Sequence, residues 1–146
     1  MDKLEKTGLL LLMMVLSVTA DAQSLPSPTE PVILTVSGEL SRDNLDGEAR
    51  FDLPMLVDLG EQRLQTSTVV TDGVNEFVGV WMRDLLATVG AEGDMVVATA
   101  LNDYRIEIPV EDFFDYDVLL AWEMDGERLT PRDKGPLWIV YPRDDH

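Results

Sequence analysis

Four basic side chains gather near the C-terminus: Arg128, Arg132, Lys134 and Arg143 fall within one 16-residue stretch. Arg and Lys can give charge-assisted hydrogen bonds to an anion. They can equally pair with the interleaved Asp133, Asp144 and Asp145, where an exposed pair contributes only ~0–1 kcal/mol. The opposite chemistry precedes them. Asp103 to Glu127 holds nine acids and one base, Arg105. That run reads as a solvated acidic face, a docking patch for a basic partner, or a weak calcium site, though without EF-hand spacing. Asp144-Asp145-His146 offers weak ligands for a divalent cation or a plain flexible end. The single histidine is terminal and cysteine is absent. No Ser–His–Asp set, thiol nucleophile, thiolate-held zinc or iron–sulfur cluster can be built from this inventory, and no phosphate loop is present. No metal ligand set is expected.

The elements that must position these groups belong to a short, acidic chain. Its 146 residues argue for one domain, and 28 acids against 11 bases give a formal charge of −17. Nucleic acid and anionic membrane surfaces both select Lys/Arg-rich proteins and are excluded as partners. Apolar content of 45% argues for a folded chain.

The apolar run Gly8 to Val18 is too short to span ~30 Å of hydrocarbon. It follows Lys3 and Lys6 and ends at Ala20-Asp21-Ala22. This is the pattern of a secretory signal peptide over residues 1–22, cut after Ala22. No arginine pair precedes it, so Sec export is expected. Removing Asp2, Glu5, Asp21, Lys3 and Lys6 takes the charge to −16 and leaves Lys134 as the one lysine. The sequence holds no second apolar span and no lipid-attachment cysteine. A soluble periplasmic or secreted product without a stable membrane anchor is expected.

Residues 23–31, with prolines at 26, 28 and 31, read as a linker to a domain over 32–146. Val32 to Val36 reads as a strand and Ser41 to Arg50 as a polar turn region. Phe51 to Leu59 reads as a short helix with Asp52 as N-cap and Pro54 in its first turn. Leu64 to Val70 and Phe77 to Trp81 read as strands. Met82, Leu85, Leu86 and Val89 lie on one helical face, closed by Gly90. Met95 to Ala100 reads as a buried strand, Tyr104 to Ile108 as a half-exposed one, and Val110 to Tyr116 as a short helix or loop. Asp125-Gly126 marks a hairpin between Val118–Met124 and Glu127–Thr130. Leu137 to Tyr141 is the last strand. The class is α+β and β-rich, with a mixed sheet and short helices. Trp81, Trp122 and Trp138 read as core or sheet-face packing.

Four stretches together resemble the molybdopterin-binding domain of the sulfite oxidase family. They are Phe77-Val78-Gly79-Val80 with Arg83-Asp84-Leu85-Leu86; Tyr104-Arg105-Ile106-Glu107-Ile108-Pro109; Val118-Leu119-Leu120-Ala121-Trp122-Glu123-Met124-Asp125-Gly126-Glu127-Arg128-Leu129; and Lys134-Gly135-Pro136-Leu137-Trp138-Ile139-Val140-Tyr141-Pro142. Order and spacing agree from about residue 32 to 142, and the chain looks most like a small exported, cysteine-free branch. The resemblance implies that family's fold and a molybdopterin cofactor. It places Tyr104 at the active-site tyrosine, a donor to a metal-bound oxygen, and equally admits a half-buried strand tyrosine. Asn102 and Asp103, in the turn before it, are turn formers or cleft-lining acceptors. The pterin phosphate would draw on the C-terminal bases, Arg132 and Lys134 among them.

The departures bear on function. The family's thiolate ligand falls, counting back from Gly79, within Thr66-Ser67-Thr68, and a hydroxyl is a far poorer ligand for a soft-sulfur site. Trp138 stands at the family's arginine and Lys134 at its histidine, the Gly–Pro spacing is one shorter, and the family continues past the last proline into another strand where this sequence stops at His146, so either a trimmed domain or an incomplete sequence is expected. Two functions follow as expectations. One is an accessory or ligand- and partner-binding module without molybdenum, and so not an enzyme. The other is a molybdopterin-dependent oxidoreductase lacking the thiolate, with Ser67, Thr68 or water completing the metal and Tyr104 as donor.

Overall fold

The computed structural model describes residues 24–145; the expected signal peptide lies outside the described residues. The chain order is β1 (Leu34–Val36), β2 (Ala49–Phe51), α1 (Leu53–Asp58), β3 (Gln62–Ser67), β4 (Val74–Trp81), α2 (Met82–Val89), β5 (Met95–Thr99), β6 (Arg105–Pro109), α3 (Asp112–Asp115), β7 (Leu119–Met124), β8 (Glu127–Arg128) and β9 (Trp138–Val140). A 3-10 turn over Arg143–Asp145 follows.

The main sheet runs β3–β4–β7, with β8 and β9 sharing the far edge of β7. Two hairpin-like sheets, β1–β2 and β5–β6, stand beside it. Every ladder between named strands is antiparallel. Parallel pairing is confined to isolated bridges, Ser24 with Asp43 and Thr130 with Lys134. The α+β, strand-rich class holds.

The sheet is buried on both faces where its central strands run apolar, over Phe77–Val80 of β4 and Leu119–Trp122 of β7. Val78 and Val80 of β4 and Leu120 and Trp122 of β7 face α1 and α2, meeting Leu56, Leu85 and Val89. The alternate residues Phe77, Leu119 and Ala121 face a second cluster with Leu64, Leu129 and Val140. There Phe77 meets Trp138 edge-on at 5.5 Å. Such a pair adds ~0.5–1.5 kcal/mol beyond its area burial. The register between β4 and β7 shifts at Val78/Gly79. A Cβ on Gly79 would lie 2.1 Å from the Leu120 carbonyl oxygen, so the close approach of the two strands there requires glycine.

α2 occupies Met82–Val89, as its spacing predicts, and Gly90 ends it in the left-handed region (φ 59). Asp52 caps α1 by accepting the Met55 N–H at 2.9 Å. Asp125 (φ 50) and Gly126 (φ 83) form the β7–β8 turn. Both positive angles suit the twist of a tight hairpin.

Three readings differ. Met95–Ala100 is not buried: Met95 and Val97 are 50% and 45% exposed. An apolar strand at a cleft edge carries the same residue pattern as a core strand. The polar region Ser41 to Arg50 ends in β2, whose Ala49 and Phe51 point inward around Arg50. The Pro/Ser segment is tied to the domain. Leu25 is buried, its N–H donates to the Asp43 carbonyl at 2.8 Å, and Asn44 Nδ2 donates to the Pro26 carbonyl at 2.9 Å. Among the described residues no helix is long and apolar enough to cross a membrane.

Candidate functional site

A cleft of about 1300 Å³ opens beside the main sheet. Its walls are β1, the end of α2, the β5–β6 hairpin and the Lys134–Ile139 segment. Most of the lining is apolar, and its charged members are Glu39, Glu92 and Lys134.

Tyr104 lies at the tip of the β5–β6 hairpin, lines the cleft and is 66% exposed. Its backbone N–H donates to Asn102 Oδ1 at 3.1 Å, so Asn102 shapes the turn while also lining the cleft. Asp103 adopts a left-handed conformation (φ 65), donates its N–H to the Ala100 carbonyl, and is exposed away from the lining. Lys134 lines the cleft, donates to Asp133 at 2.8 Å, and holds its ammonium 5.9 Å from the centre of the Trp138 ring. Arg132 is exposed and outside the lining, as are Arg128 and Arg143. Only one of the four C-terminal bases therefore reaches the cleft.

Ser67 ends β3 and Thr68 follows it; both lie outside the lining. Their hydroxyls are engaged. Ser67 Oγ and the Ser67 N–H both donate to the Asp144 carboxylate, the latter at 2.8 Å. The Asp144 N–H donates to Thr66 Oγ1 at 3.2 Å. Thr68 Oγ1 shares a hydrogen bond with Thr71 Oγ1 at 2.6 Å. The Ser67 hydroxyl and N–H hold the Asp144 carboxyl below its usual range, with Arg143 adding to the effect. Buried Thr66, Ser67 and Asp144 thus clamp the closing turn to the end of β3.

The model of the oxidoreductase molybdopterin-binding domain matches residues 59–144, from the end of α1 to the closing turn. The chain belongs to this family. No curated protein matches it. In molybdopterin-binding-domain terms, the slot in which the sequence resemblance locates the metal ligand is the Thr66–Thr68 strand end. The residues there do not fit a thiolate-held molybdenum. Hard hydroxyls replace the soft sulfur, they are already hydrogen-bonded within the protein, and the nearest charge is a carboxylate. A pterin phosphate would find one base in the cleft, already paired, against two acids. Among the described residues no group of three or more His, Cys, Asp or Glu side chains is placed to hold a metal.

Asp144 is the site residue that the sequence reading did not connect to Ser67; a contact across 77 positions leaves no local signal. Tyr141 is a second. It lines the cleft and donates its hydroxyl to Asp112 Oδ2 at 2.9 Å. Burial and the bond to Asp112 push its phenol up to about 12.

Proposed function

We propose that this chain is an exported binding module that keeps the molybdopterin-binding-domain fold, works without molybdenum, and takes an apolar ligand or partner segment in the cleft. The observation that carries this reading is the use of the metal-ligand slot as an internal lock. Ser67 spends both its hydroxyl and its N–H on Asp144. The apolar cleft walls support it, as does a lining that carries more acid than base. Export rests on the first 22 residues.

The competing reading, an oxidoreductase holding the pterin without a thiolate, draws on family membership and on Tyr104 at the cleft mouth. Metal and pterin analysis of the protein purified from its native host separates the two. The binding-module reading expects neither molybdenum nor pterin fluorescence above background, and an N-terminus at Gln23. Near-stoichiometric molybdenum or released pterin overturns it.

A further inference from the structure

The β5 edge lacks the devices that guard the β3 and β9 edges. Met95 to Leu101 contains no charge and no proline. Its ladder with β6 is unbroken, from Met95 opposite Pro109 to Thr99 opposite Arg105. The Ala100 N–H donates to the Tyr104 carbonyl at 2.8 Å. Hydrogen-bonded pairs alternate in an antiparallel ladder, so Ala98–Ile106 and Val96–Ile108 are bonded pairs. Met95, Val97 and Thr99 then turn their N–H and C=O groups away from β6. Pro109, which has no N–H, sits opposite Met95 at a position where none is needed. Among the described residues no strand pairs with this outer edge.

Proteins normally blunt such edges with charge, proline or bulges. Here β3 carries Arg63 and Gln65 outward, and β9 is bracketed by Pro136 and Pro142. β5 has none of these devices. Its outward-bonding residues line the cleft, and Leu101 beyond them is 74% exposed.

Charge decides what can cover it. Antiparallel pairing with a second copy, centred on Val97, sets Glu92 of one chain opposite Asn102, next to Asp103, of the other. Parallel pairing sets Asp94 beside Asp94. Either arrangement adds acid to acid between chains of formal charge −17. A segment with bases at its ends meets Glu92 and Asp94 at one side and Asp103 at the other. The cleft also exceeds the ~300–1,000 Å³ usual for small-molecule sites, which favours a length of chain.

We propose that the outer edge of β5 is a strand-addition site for an extended apolar segment of a partner protein, flanked by basic residues. This rests on the binding-module reading and names its partner class. Main-chain hydrogen bonds from Val97 and Thr99 hold the segment, and the cleft walls take its alternate side chains.

The test uses a synthetic peptide of alternating valine and threonine with an arginine pair at each end, and a twin ending in glutamates. The arginine peptide is expected to bind the wild-type protein, to slow amide hydrogen exchange at Val97 and Thr99, and to weaken as salt rises. Val97→Pro removes one free-edge N–H and no β5–β6 bond. It should weaken binding about tenfold, the worth of one hydrogen bond. Val97→Lys, which leaves the backbone intact and repels the basic ends, should do the same. Unchanged exchange at Val97 and Thr99 overturns the proposal, as does equal binding of the two peptides. A wild-type dimer that Val97→Lys turns into monomer also overturns it. Bound pterin in the native protein would instead remove the binding-module reading, whatever the β5 amides do.

Discussion

Replacing Asp52 with alanine probes the clamp that fixes one wall of the cleft. Asp52 is 1% exposed and its carboxylate serves three backbone donors. Oδ1 accepts from Met55 at 2.9 Å, capping α1. Oδ2 accepts from Thr29 at 2.9 Å and Glu30 at 3.0 Å, which fastens the chain just before β1 enters the cleft wall. Loss of the cap costs about 1 kcal/mol. The two remaining bonds go to a charged acceptor, worth ~1.5 kcal/mol each, partly offset because Thr29 and Glu30 can turn to water. The total comes to about 2–4 kcal/mol. At ~4 °C per kcal/mol for a domain of this size, the melting temperature should fall by about 8–16 °C.

The same variant carries a pH signature. Burial raises the Asp52 carboxyl, but the N–H groups of Met55, Glu30 and Thr29 outweigh it and hold the group below its ordinary value. A depressed acid contributes stability above its unfolded pKa and loses it as pH falls through the folded value. Thermal unfolding followed by circular dichroism at several pH values should therefore show the gap between wild type and Asp52→Ala narrowing below about pH 4. Limited proteolysis at neutral pH should open the chain between residues 24 and 33 in Asp52→Ala first. A melting temperature within about 2 °C of wild type, or a gap of constant size down to strong acid, refutes the reasoning.

Ser67→Cys places a thiol in the ligand slot, yet with Asp144 in place it should take up no molybdenum on reconstitution with pterin cofactor; metal content near stoichiometry would defeat the lock argument. Gly79→Ala drives a Cβ into the Leu120 carbonyl and should lower stability by about 3 kcal/mol in denaturant titration, the upper range of overpacking. A midpoint equal to wild type would show that the β4–β7 contact yields. The Tyr141 phenol, raised to about 12, contributes stability below its ordinary value of ~10 that is lost as pH climbs through the folded value. Phenolate absorbance should show one late step that Tyr141→Phe removes, and its persistence in that variant would assign it elsewhere.

What the sequence made legible was local. The Met82, Leu85, Leu86 and Val89 spacing with Gly90 defines α2 to the residue, because helix periodicity and a left-handed cap are encoded side by side. The cap that Asp52 places on Met55 and the Asp125-Gly126 turn are set within three residues and were equally readable, whereas the Asp52 bonds to Thr29 and Glu30 were not. The candidate site was legible only in part. Tyr104, Asn102 and Lys134 reach the cleft, whereas Ser67, Thr68, Asp103 and Arg132 lie outside its lining. Cleft membership depends on how two hairpins and a loop stand against the main sheet, and no window of sequence contains all three. β5 misled for a related reason. A run such as Met95-Val96-Val97-Ala98 has the same composition whether a neighbour covers its edge or not.

The Ser67–Asp144 lock and the β5 edge have a common electrostatic consequence. The strand end at the family's ligand slot must be held by something, and here a serine and a carboxylate hold it. The exchange removes a soft ligand and adds a negative charge at the same place. An anionic cofactor loses on both counts, since it forfeits the metal bond and meets Asp144. Glu39 and Glu92 repeat the bias at the cleft, where Lys134 is already paired with Asp133. A cleft that disfavours anions but keeps apolar walls and an open strand edge selects by exclusion. Apolar burial supplies affinity without regard to sign, and the acids at each end of β5 then decide which flanking charges are tolerated. Raising salt should narrow the preference between basic and acidic segments while leaving the apolar contribution in place.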